Sequence, residues 1–106
     1  MPTNILVQVP DSLRNFHPLL LDFFNTMIKK LDKNSHKDTP SIKDMGRIMD
    51  LLLDEVVEFE NQLHLDRFDE NSLIELADQA NFAFLAYVAL RNEGVKHAEE
   101  ASDPAA

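Results

Sequence analysis

An all-α domain is predicted by three observations. Apolar residues recur at helical spacing along most of the chain, the only glycines are Gly46 and Gly94, and there is no hairpin signal or internal repeat. The expected architecture is an antiparallel helical bundle of about three main helices, completed by homo-oligomerisation. A chain of 106 residues and 12.1 kDa has room for one domain. That domain is assigned to residues 1–98 with its core at about 15–95, and residues 99–106 are expected to form a disordered acidic tail.

The first helix is expected to start near Asn15 or His17, with Pro18 tolerated in its opening turn, and to run to about Leu31. Phe16, Leu19, Leu20, Phe23, Phe24, Met27, Ile28 and Leu31 form its apolar stripe. A polar loop, Asp32 to Thr39, follows. Thr39-Pro40-Ser41 reads as a capped start for the second helix, which continues to about Leu63. Its seam is Ile42, Met45, Met49, Leu52, Val56, Phe59 and Leu63, alternating steps of three and four. After a second polar loop, His64 to Asn71, the third helix starts near Asn71 or Ser72 and stops before Gly94, a residue suited to the left-handed position beyond a helix end. From Asn81 to Leu90 this helix is apolar all round apart from Asn81 and the Tyr87 hydroxyl, and two partner helices cannot cover it. A symmetry mate is therefore expected, making the unit at least a dimer, either homodimer or homotetramer.

Ten basic against nineteen acidic residues give a net charge of −9. This balance repels a phosphate backbone and argues against nucleic acid as a partner. Cysteine is absent, which excludes disulfides, thiolate metal sites and cysteine nucleophiles. Met1 to Pro10 lacks the basic start and apolar centre of a signal peptide, and the longest apolar stretch, Phe82 to Leu90, is well short of the roughly 20 residues that span a bilayer. The sequence therefore reads as a soluble, cytoplasmic protein with no membrane partner.

Two carboxylate pairs stand out. Glu55 and Glu58 lie three apart beside the seam of the second helix, with Asp54 adjacent, and Glu75 and Asp78 lie three apart on the third. Residues at that spacing point the same way, so each pair offers two oxygen donors to one point. If the helices pack through their seams, the pairs face one another. Four clustered carboxylates have raised pKa values unless a cation lies between them. Oxygen-only ligation suits Mg²⁺ or Mn²⁺. Iron-bundle chemistry needs a histidine three residues after glutamate, where this chain has Asn61 and Asp78. Solvated surface is the ordinary reading of either pair alone, and Ser72-x-x-Glu75 also reads as a capping box. The location favours a site: Glu55 flanks a packed seam, and Asp78 and Asn81 are polar residues in a helix heading into a core.

With these residues the sequence resembles the MazG-type branch of the all-α nucleoside triphosphate pyrophosphohydrolases. That family's signature is two adjacent acidic residues, two spacers and a glutamate, then a gap, then Glu-x-x-Asp. Here it reads Asp54-Glu55-Val56-Val57-Glu58, residues 59–74, and Glu75-Leu76-Ala77-Asp78. Ala77-Asp78-Gln79-Ala80-Asn81-Phe82-Ala83 is similar to the Asp-x-x-Asn-Phe-Ala segment of short phage and bacterial members. Lys30-Leu31-x-x-Asn34-x-x-Lys37 is similar to the positions those members place before the acidic helix. The likeness covers roughly Phe23 to Val95. It departs at Asp54, where glutamate is usual, and in lacking the tryptophan common after the basic loop, departures that bear more on base recognition than on metal binding.

The resemblance implies hydrolysis of a (deoxy)nucleoside triphosphate between the α and β phosphates, giving the monophosphate and pyrophosphate, in nucleotide-pool housekeeping. It implies that Glu55, Glu58, Glu75 and Asp78 hold Mg²⁺, with Mn²⁺ a substitute, and that Asp54 orients them. Glu55 is the leading candidate to take the proton from the attacking water, with Glu58 beside it in catalysis. Lys30 and Lys37 are candidates to neutralise the outer phosphates, and Asn34 and Asn81 to contact sugar or base. For Phe82 and Tyr87 core packing outweighs base stacking. Two other readings stand beside this one: a non-catalytic helical interaction or regulatory module, and a same-fold enzyme acting on phosphoribosyl-ATP.

Overall fold

Pro18 and the apolar run behind it set the first helix. In this computed structural model, which describes residues 3–33 and 39–95, α1 spans His17–Lys33 and follows a short 3-10 helix, Asp11–Phe16. Proline is accommodated because an opening turn has no partner for its missing N–H. The second helix, α2, spans Met45–His64 and is led in by a 3-10 turn, Ile42–Asp44, in which the Ser41 N–H donates to Asp44 Oδ2 at 2.9 Å. The third, α3, spans Glu70–Asn92. No strand occurs among the described residues, so the all-helical class holds. Asn34, Lys37 and the expected tail at 99–106 lie outside the described residues.

The helix ends carry local chemistry. At the start of α3, Asp69 Oδ1 accepts from the Ser72 N–H (3.3 Å) while Ser72 Oγ accepts from the Asp69 N–H (3.2 Å). The capping box is thus Asp69 with Ser72, not Ser72 with Glu75, because α3 begins at Glu70, one or two residues before the expected start near Asn71 or Ser72. At its far end, Gly94 has φ 96°. The Val95 N–H reaches the Leu90 carbonyl (3.2 Å) and the Gly94 N–H that of Arg91 (3.0 Å), a Schellman closure. The end of α2 closes the same way without glycine. Asp66 takes φ 52°, with Arg67 N–H on the Gln62 carbonyl (3.1 Å) and Asp66 N–H on that of Leu63 (3.2 Å).

α3 packs against both α1 and α2, whose backbones do not approach each other closely. Along each seam partners step in opposite directions: Gln62 meets Glu75 while Glu55 meets Gln79, and Lys30 meets Asp78 while Met27 meets Asn81. Asn92 Nδ2 also donates to the Pro40 carbonyl (2.8 Å) and Thr39 Oγ1 (3.2 Å), tying the end of α3 to the approach to α2.

What is buried is small. Among the described residues, Ile48, Ala77 and Ala89 are the buried apolar ones, and no large side chain is fully enclosed. In α1 no residue is buried, and Phe16, Leu19, Phe23, Phe24 and Ile28 of the expected stripe are all exposed. On α3, Leu73, Leu76, Phe84, Tyr87 and Leu90 are exposed along one side, so the described chain leaves much of its central helix bare. By length and composition alone, α3 is also long and apolar enough to cross a membrane, a property not apparent from Phe82 to Leu90 in isolation.

The Gly94 conformation gives a direct stability test. No atom lies within 4 Å of a Cβ added at Gly94, so Gly94→Ala meets only the backbone penalty of a left-handed residue, about 1–2 kcal/mol. Urea unfolding is expected to show that loss, and a change near zero would contradict the closure described.

Candidate functional site

The two acidic pairs sit on the α2–α3 seam. Glu55 and Glu75 are half-buried, Glu58 is exposed, and Asp78 lies on the side of α3 that also meets α1. Glu75 Oε1 accepts from Gln62 Nε2 at 2.7 Å, while Glu75 Oε2 is buried with no hydrogen-bond partner. Gln79 Nε2 reaches the Glu55 carbonyl at 3.5 Å, fixing the register that sets Glu55 opposite the acidic turn of α3.

Electrostatics follow from that register. Burial raises the pKa of Glu55, and the neighbouring charges of Glu58, Asp78 and Glu75 raise it further, against a lowering contribution from Lys30. Burial likewise raises Glu75, with Glu58, Asp69 and Asp78 adding to the effect and the Gln62 hydrogen bond opposing it. Glu55 therefore lies within electrostatic reach of the other three carboxylates. Across the seam, Glu55 senses the charges of Asp78 and Glu75, and Glu75 senses that of Glu58.

The donor set is all hard oxygen, which suits Mg²⁺ or Mn²⁺, and the orphaned Glu75 Oε2 is a buried acceptor that such an ion would satisfy. As the side chains stand, no three acidic or histidine groups among the described residues approach closely enough to hold an ion. Ligation therefore requires rotation of the side chains, for which exposed Glu58 has the most freedom.

The other site residues divide. Asp54 is exposed on α2 beside Glu55. Lys30 comes from α1, with Nζ 3.9 Å from Asp78 Oδ2, and so borders the acidic cluster. Asn81 is buried, and its Nδ2 donates to the Met27 carbonyl at 2.9 Å, holding α1 on α3, while its Oδ1 has no partner. Asn34 and Lys37 fall outside the described residues.

Sequence reasoning missed Gln62 and the packing role of Ser72. Ser72 Oγ donates to Gln62 Oε1 at 2.6 Å, which links the cap of α3 to Glu75 through one amide. The signal was present, since Gln62 follows Glu58 at i+4 and so continues the Glu55–Glu58 face. Compared with models of protein families, with curated proteins and with solved structures, the chain gives no match.

The raised values set the sign of a pH effect. A carboxylate whose folded pKa exceeds the ordinary 4.5 binds protons more tightly when folded, so its penalty is full above the raised value and disappears as pH falls through it. Without divalent ions, Glu58→Gln is expected to melt above the wild type at pH 7 and to lose that advantage by about pH 4. Glu60→Gln, an exposed change on the same helix, is the control for net charge. Equal gains in both variants would remove the clustering.

Proposed function

We propose that this chain is a Mg²⁺-dependent nucleoside triphosphate pyrophosphohydrolase that cleaves a (deoxy)nucleoside triphosphate between the α and β phosphates, in cytoplasmic housekeeping of the nucleotide pool. The observation that carries the reading is the pairing of Glu55–Glu58 with Glu75–Asp78 across one helix seam, with the pKa values of Glu55 and Glu75 raised by burial and, after it, by the neighbouring carboxylates. The MazG-like spacing of those residues supports it.

Mg²⁺ bound by Glu55, Glu58, Glu75 and Asp78 would neutralise triphosphate charge and make water more acidic. The half-buried Glu55 carboxylate accepts a proton from water as its oxygen attacks the α-phosphorus. The bond from that phosphorus to the bridging oxygen breaks, and pyrophosphate leaves. Glu55 is the candidate base by its half-buried place on the seam, where water would be most confined. Lys30, already beside Asp78, supplies positive charge to the outer phosphates. Asp54 steadies Glu55 and Glu58 from the exposed side, and Asn34 and Lys37 remain assigned to substrate by the resemblance alone. Asn81, which bonds α1, acts on substrate only through its free Oδ1.

The helices are completed into an antiparallel bundle by further copies of the chain, as a homodimer or homotetramer. Exposed Leu76, Phe84 and Leu90 on α3 support this, since covering each large apolar side chain contributes about 1.5–3 kcal/mol. A lipid cover for α3 is the competing explanation. It would bring Glu75 and Asp78 into the bilayer, at roughly 2.5–3.5 kcal/mol for a charge at its centre. A non-catalytic interaction module is favoured by the absence of three closely gathered acidic or histidine groups among the described residues.

Pyrophosphate release from a panel of nucleoside triphosphates with Mg²⁺ tests the activity. Glu58→Gln and Asp78→Asn are each expected to lower the rate roughly a hundredfold or more with the helical spectrum intact. Unchanged rates in both, or no turnover by the wild type of any triphosphate or of phosphoribosyl-ATP included in the panel, would leave only the interaction module. Sedimentation is expected to give at least twice 12.1 kDa, with Phe84→Lys shifting the chain towards monomer, and a wild-type monomer would refute the assembly.

A further inference from the structure

Two sides of α3 are covered and one is bare. α1 lies against the side that carries Asn81, and α2 against the side that carries Glu75 and Gln79. The bare side carries Leu73, Leu76, Ala80, Ala83, Tyr87 and Leu90, which follow one another at steps of 3, 4, 3, 4 and 3. Leu73 is 62% exposed, Leu76 38%, Tyr87 45% and Leu90 41%, and Ala83 is exposed with them. This alternation is the spacing of a coiled-coil seam, in which each side chain enters a gap between four residues of a facing helix. Lipid asks only for an apolar face and imposes no such register. The period therefore selects a helix as the occupant.

Shape and charge select which helix, and its direction. Large side chains stand at both ends of the seam and alanines at its middle. Two copies of α3 laid antiparallel over that middle approach closely at Ala80 and Ala83, while Leu73 and Leu76 of one meet Leu90 and Tyr87 of the other. The acids of α3, Glu70, Glu75 and Asp78, all lie in its first half, and its one base, Arg91, lies in the last turn. Antiparallel pairing brings each basic end to an acidic end and opposes the helix dipoles, whereas parallel pairing sets acid beside acid.

We infer that the bare side of α3 docks on the same side of α3 in a second copy of this chain, antiparallel, with the two-fold axis between Ala80 and Ala83. The inference rests on the assembly proposed above and gives it a seam, a direction and an axis. It depends on neither metal nor catalysis. Such a contact is self-complementary, so it closes at two copies.

Cross-linking tests the pairing, and the absence of native cysteine leaves introduced thiols as the only ones. Leu73→Cys, Leu90→Cys and the double variant are treated with a short bis-maleimide. In the antiparallel pair the two copies of position 73 stand about 26 Å apart along the helices, as do those of position 90, so neither single variant is expected to cross-link. The double variant is expected to give a covalent dimer. Cross-linking of each single variant with itself would make the pair parallel and overturn the inference. An oligomer in which none of the three cross-links would do the same, placing the interface elsewhere and leaving the assembly standing. Ala83→Arg, exposed in the single chain, is expected to lower the sedimenting mass about twofold or more with the helical spectrum kept. Leu76→Lys carries the same expectation should that variant not fold, and an unchanged mass in the folded variant would overturn the inference. A wild type sedimenting as a monomer of 12.1 kDa, whether free or floating with phosphatidylcholine vesicles, would remove the inference and the assembly together.

Discussion

Like charge brought together across the α2–α3 seam is the constraint on which the rest of this protein's organisation depends. Apolar packing and an amide hydrogen bond hold the helices in a register that sets Glu55 against the acidic turn of α3, where burial and neighbouring carboxylates raise its pKa and that of Glu75. Repulsion of this kind disfavours the folded state. Two groups temper it from within the chain: Lys30 reaches in from α1, and Gln62 presents an amide where a third acid on the same α2 face would aggravate it.

The same helix that supplies Glu75 and Asp78 has the least cover. α3 carries the polar site in its first half and an exposed apolar side along its length, with only small residues, Ala77 and Ala89, fully buried against α1 and α2. Burial of small side chains allows close helix approach but contributes little hydrophobic stabilisation. In the proposed assembly a second copy would cover Leu76, Phe84 and Leu90, excluding water near the acidic cluster and strengthening the electrostatics within it. In that proposal, site and assembly are coupled through one helix.

The three helices were legible because their signals are local. Pro18 in an opening turn, Ser41 before Ile42, and Gly94 beyond the last apolar position each mark an end by backbone chemistry. The end of α2 was less legible, since Asp66 occupies a left-handed position that glycine usually signals. The start of α3 was misplaced because its capping box uses Asp69 with Ser72, and a Ser-x-x-Glu match three residues later competes with it. That error matters for the site. With the cap assigned to Asp69, Glu75 has no capping duty, and its carboxylate is held by Gln62 instead. The acidic pairs themselves were readable from i, i+3 spacing. The amide between them was not, because glutamine on a helix face is commonplace and its meaning comes only from the helix opposite.

The claim that the two pairs converge on one divalent ion is tested most directly by the carboxyl carbon resonances of the intact chain during addition of substoichiometric Mn²⁺. Broadening of Glu55, Glu58, Glu75 and Asp78 together, ahead of solvated acids such as Glu60 and Asp66, is the result this account predicts. Uniform, weak broadening of acidic residues over the whole surface, or broadening of one pair without the other, would contradict it.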